Sequence, residues 1–60
     1  MALSNDDISV AYVLALDSVG AWYLNARVKM EMCDVLGCDP RELEMACRAL
    51  SESEFEAIFN

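Results

Sequence analysis

The sequence predicts an all-α fold, and three observations carry that expectation. Apolar residues recur at steps of three and four. A helix-start signature occurs three times. No run alternates apolar and polar as a half-buried strand would. The chain has 60 residues, of which 57% are apolar, with 11 Asp and Glu against four Lys and Arg, for a net charge of −7. This length allows one domain at most, expected over residues 1–60 with no linker, repeat or low-complexity segment.

The first start is "LSNDDI" from Leu3. Ser4 suits the cap position, Asp7 answers it three residues later, and Leu3 and Ile8 suit a hydrophobic staple. From there the apolar pattern runs unbroken to "VLG", where Gly37 suits a left-handed helix end. The sequence therefore predicts one long helix over residues 5–36. The second start, "CDPREL" from Cys38, offers Asp39 as cap, Glu42 as its answer, Pro40 at the first helical position and a Cys38–Leu43 staple. It predicts a helix over 40–50. The third, "LSESEF" from Leu50, offers Ser51, Glu54 and a Leu50–Phe55 staple. The apolar phase of Leu43, Ala46, Cys47 and Leu50 does not continue into Phe55, Ile58 and Phe59, so a separate short helix is expected over 52–59.

A straight helix of this kind would be about 48 Å long, whereas the two trailing helices laid end to end reach about 28 Å. They would leave the N-terminal half uncovered. Two apolar seams run along the predicted helix. One holds Ile8, Tyr12, Ala15, Val19, Trp22, Tyr23, Ala26, Met30 and Cys33. The other holds Val10, Leu14, Asp17, Ala21, Leu24, Val28, Met32 and Val35. Two seams imply packing on two sides: one against the chain's own helices, the other against a second copy. The expectation is a helical hairpin that dimerises into a bundle, with Ile8, Val10, Tyr12, Leu14, Ala15, Val19 and Trp22 at the dimer interface. In an antiparallel pair centred near Trp22, Asp17 would lie level with Arg27 of the second copy and fix the register.

Composition narrows the function. An excess of carboxylates repels phosphate backbones, which argues against direct nucleic-acid binding and for basic surfaces on other proteins. Cys33, Cys38 and Cys47 have no histidine beside them and lack zinc-site spacing; they read as small hydrophobes, with no metal or cofactor expected. Thiol catalysis would lack an activating imidazole. The carboxylate clusters sit at helix starts, where the macrodipole favours them, or on solvated faces, so no catalytic residue is expected and the chain reads as a non-enzyme. The apolar run over residues 8–24 holds a carboxylate where hydrocarbon would be deepest, so no membrane role is expected. The start "MALSNDD" lacks a signal peptide's positive region, and reduced thiols in a cytoplasm follow.

The leading expectation is a small homodimeric regulator of a phage or mobile-element type that binds and inhibits or modulates a larger, basic-surfaced protein. Its partner contacts are expected at Leu16, Asp17, Gly20, Glu44, Glu52 and Glu56. Two other readings stand beside it: an acidic nucleic-acid mimic blocking a basic groove, and a structural subunit of a hetero-oligomer.

Overall fold

A computed structural model describes residues 3–60; the first two residues of the start read above, Met1 and Ala2, lie outside them. The described residues form four helices and no strand: α1 (Asn5–Val19), α2 (Ala26–Leu36), α3 (Pro40–Arg48) and α4 (Glu52–Phe59).

Each start has a local cause. Ser4 Oγ accepts from the Asp7 amide at 3.1 Å while the Asp7 carboxylate accepts from the Ser4 amide at 3.4 Å. Ser51 and Glu54 repeat this reciprocal cap at α4, at 3.2 and 2.9 Å. At α3 the chemistry differs from the expected box. Asp39 accepts from the Arg41 amide, one residue nearer, at 3.0 Å, and Glu42 does not reach back. The helix also stops at Arg48, two residues short of the expected end.

The main correction concerns the expected helix over 5–36, which is two helices. Gly20 adopts φ 75°, and both its amide and that of Ala21 donate to the Leu16 carbonyl, at 2.8 and 3.0 Å, closing α1. After a four-residue span, Asn25 caps α2 by accepting from the Val28 amide at 2.9 Å. Gly37 ends α2 in the same left-handed conformation, with Cys38 donating to the Cys33 carbonyl.

This break removes the shortage of length that the sequence suggests. The chain measures 27 × 23 × 17 Å, so no 48 Å rod needs covering. α1 packs chiefly on α2, α4 returns to α1, and α3 leans on α2. Ser18 Oγ donates to Glu31 at 3.2 Å, tying the end of α1 to α2.

The break also rephases the seams. The core combines Ile8, Ala11, Tyr12 and Ala15 of α1 with Val28, Met32 and Cys33 of α2 and Leu43 of α3. Ile8, Tyr12, Ala15 and Cys33 thus come from the first seam, Val28 and Met32 from the second, and Ala11 from neither. Met30, of the first seam, points outward. Ile8, Val28 and Met32 are fully buried, each contributing about 1.5–3 kcal/mol. Tyr12 meets Phe59 edge-on with ring centroids 4.8 Å apart, which anchors α4.

Candidate interaction surface

The seven residues expected at a dimer interface divide into two groups. Ile8, Tyr12 and Ala15 lie in the chain's own core, and Val19 is half-buried against it. These four belong to the intrachain side of α1, because α2 and α4 fold back onto that side once the chain turns at Gly20. Val10, Leu14 and Trp22 face outward, joined by Val13, which the two-seam reading left out.

The outward group forms one strip. Val13 and Leu14 lie three and four residues after Val10, and Asp17 lies four and three residues after them, so the four share a face of α1. Their exposures are large for such side chains: 59% for Val10, 61% for Val13 and 50% for Leu14. At the C-terminal end of the strip, Val13, Leu16, Asp17, Gly20, Ala21 and Trp22 line a shallow depression. Trp22 is 92% exposed, supported on a connector between two left-handed or extended caps rather than in a helix. Exposed aliphatic side chains and an exposed tryptophan thus stand together on one side of the chain.

The expected partner residues are placed as follows. Leu16 is half-buried and packs toward the core, while Asp17 is exposed at the edge of the strip. Gly20 has a backbone role, since its positive φ ends α1. Glu44 pairs with Arg48 at 3.2 Å on the surface of α3. Glu52 and Glu56 are exposed on α4, at a distance in sequence from the strip. The expected register pair also loses its geometry: Asp17 lies in the last turn of α1 and Arg27 in the first turn of α2, so they no longer lie on one straight helix either side of Trp22.

Two of the three thiols, Cys33 and Cys47, are held above the usual thiol range. Burial, helped by the neighbouring Cys38 and the carboxylates Asp34 and Asp39, pushes Cys33 up to about 11. Burial also raises Cys47, opposed by the charge of Lys29. Both are protonated at neutral pH, and the thiolate is the nucleophile. The cysteines are unbridged. Among the described residues no three His, Cys, Asp or Glu side chains stand together so as to hold a metal ion, and no helix is long and apolar enough to cross a membrane.

The strip was partly legible in the sequence, since Val10, Leu14 and Asp17 were read as one seam. Val13 falls in the N-terminal half expected to lie uncovered, yet, standing between the two seams, it was assigned to neither. No protein-family profile, curated protein or solved structure matches the chain.

Proposed function

We propose that this chain is a non-enzymatic interaction module that pairs with a second copy through the outer face of α1 and, so paired, occupies and modulates a larger protein with a basic surface. The observation that carries the reading is the strip of Val10, Val13 and Leu14 ending at a Trp22 that is 92% exposed. Specific interfaces need on the order of 1,000 Å² in total. Two tryptophans supply about 300–500 Å² of that. The aliphatic residues of both strips supply the rest.

Pairing is antiparallel about a twofold axis near Val13 and Leu14, which makes the strip complementary to itself. Asp17 then lies level with Val10 of the second copy. The two carboxylates sit about 10 Å apart along the helix axis, at the solvated rim. Asp17 thereby limits the apolar patch and leaves the charge of Arg27 unused. The net charge of −7 remains on the outside of the pair and steers it toward a basic surface. Cys33 and Cys47 held protonated, and Asp7, Asp39 and Glu54 engaged in caps, support a binding role over a chemical one.

Light scattering across a concentration series tests the pairing. The expected result is a monomer–dimer equilibrium, with Trp22 emission moving to shorter wavelength as dimer forms. Leu14→Lys should give a monomer of unchanged helicity, because Leu14 lies outside the core. A chain that stays monomeric at several hundred micromolar, with Trp22 emission independent of concentration, overturns the reading.

A further inference from the structure

A second concavity lies on α2 and α3, away from the α1 strip. Its floor is Cys33 and Leu43, both in the core. Met30, Cys47 and Phe55 form its apolar walls. Lys29 and Arg48 stand on its lining, with Glu44 beside Arg48. Its volume is about 500 Å³, within the roughly 300–1,000 Å³ typical of small-molecule sites.

Charge sets this groove apart. The concavity beside α3 and α4 carries Glu42 and Glu54, and the strip depression carries Asp17. The α2–α3 groove instead holds half of the chain's four cations on its lining against Glu44, with Asp34 and Asp39 acting on Cys33 at its floor. Arg48 pairs with Glu44 through one contact at 3.2 Å, the one ion pair among the described residues. Lys29 is left as an exposed ammonium beside an apolar hollow.

We propose that this groove binds a small amphiphile with an apolar tail and a single carboxylate, the tail over Cys33 and Leu43 and the carboxylate against Lys29. Charge arithmetic selects both size and head group. A large acidic partner, or an anionic membrane, would meet the field of a chain carrying −7. A small ligand meets chiefly the groups within a screening length of about 8 Å. On the Cys47 side of the groove, away from Asp34 and Asp39, the charge of Lys29 acts ahead of that of Glu44. One unpaired ammonium matches one carboxylate. Met30 is flexible enough to close over tails of different shape.

Calorimetry and amide chemical-shift mapping on the whole chain test the proposal, with octanoate, decanoate and decanol as probes below their micelle concentrations. Expected are saturable one-to-one binding and affinity rising about fourfold per added methylene until the groove is filled. Shifts should concentrate on α2 and α3. Decanoate should bind at least fivefold tighter than decanol, and K29Q should abolish that preference while leaving decanol binding intact. Lys29 is exposed, so this variant keeps the fold, as circular dichroism will verify. R48Q should weaken decanoate less than K29Q. Three outcomes overturn the proposal. The first is no saturable binding. The second is equal binding of decanol and decanoate. The third is that shifts fall on the α1 strip, or groove shifts follow protein concentration alone, the latter assigning the groove to a second copy.

Discussion

The two joints flanking α2 are built alike but differ in how openly the sequence declares them. Each closes a helix on a left-handed glycine, Gly20 or Gly37, and each opens the next on an Asx cap, Asn25 or Asp39. Between Gly37 and Pro40 lie only Cys38 and Asp39, so stop and start read as one punctuation mark. Between Gly20 and Asn25 lie Ala21, Trp22, Tyr23 and Leu24, whose apolar character continues the pattern of the helices on either side. Apolar residues in a connector hide the break from periodicity. Trp22 and Tyr23 are exposed there, although core demand alone would have buried them. Camouflage and exposed apolar surface thus have the same cause.

The strongest test of the first joint concerns the rephasing it produces. Met30 and Met32 are two residues apart on α2, yet Met32 is fully buried and Met30 is 66% exposed. Met32→Ala should cost about 2–5 kcal/mol, comparable to the whole stability of a small domain. Met30→Ala should stay within about 0.5 kcal/mol. Urea unfolding followed by circular dichroism reads both. Similar losses at the two positions would contradict the rephased core.

The glycines give a smaller effect whose sign decides the matter. A Cβ at Gly20 or Gly37 meets no atom within 4 Å, so the penalty is the backbone's alone. Alanine at either should destabilise by about 1–2 kcal/mol, because φ near +70° places Cβ against the following carbonyl. In an unbroken helix over 5–36, Gly20→Ala would instead stabilise by about 0.5–1 kcal/mol. Thermal melts of the two variants therefore either match, as two equivalent joints require, or diverge in sign. Asn25→Ala should cost about 1 kcal/mol, since it leaves the Val28 amide without its acceptor.

What could be read from the letters follows the range of the physics behind them. Helix starts are local: a Ser or Asp and the residues just after it suffice. The starts at Asn5, Pro40 and Glu52, together with the left-handed Gly37, were therefore visible. The break at Gly20 was signalled by the glycine and by Asn25, but neither outweighs seventeen largely apolar residues unless tertiary packing is known. The α1 strip was half legible. Its existence follows from an apolar surplus, whereas the assignment of Ile8, Tyr12 and Ala15 to the inside depends on where α2 and α4 fold back. The α2–α3 groove was not legible, because Lys29, Leu43 and Phe55 come together only after three helices have packed.

The smallest effect lies at the far end of the chain, where a third joint of another kind links α3 to α4 without a glycine. Glu54 accepts from the Ser51 amide, and its carboxylate also takes a hydrogen bond from the Asn5 side chain, so one residue caps α4 and ties it to the start of α1. The Ser51 amide first, then the Ser51 and Asn5 side chains, hold Glu54 below the usual glutamate range. A carboxylate lowered in the folded state stabilises fully above its unfolded value, near 4.5, and loses that contribution as pH falls through the lower folded value. Acid should therefore loosen α4 from α1 before the α1–α2 core responds. Chemical shifts at Phe59 and Asn5 should titrate below pH 4.5, while those of Val28 and Met32 hold steady. Glu54→Gln should remove this acid step and leave the Gly20 and Gly37 joints as they are. If the α2 core resonances move together with Phe59 in both proteins, α4 is no separate unit, and the contrast between glycine-closed joints and this carboxylate-held one disappears.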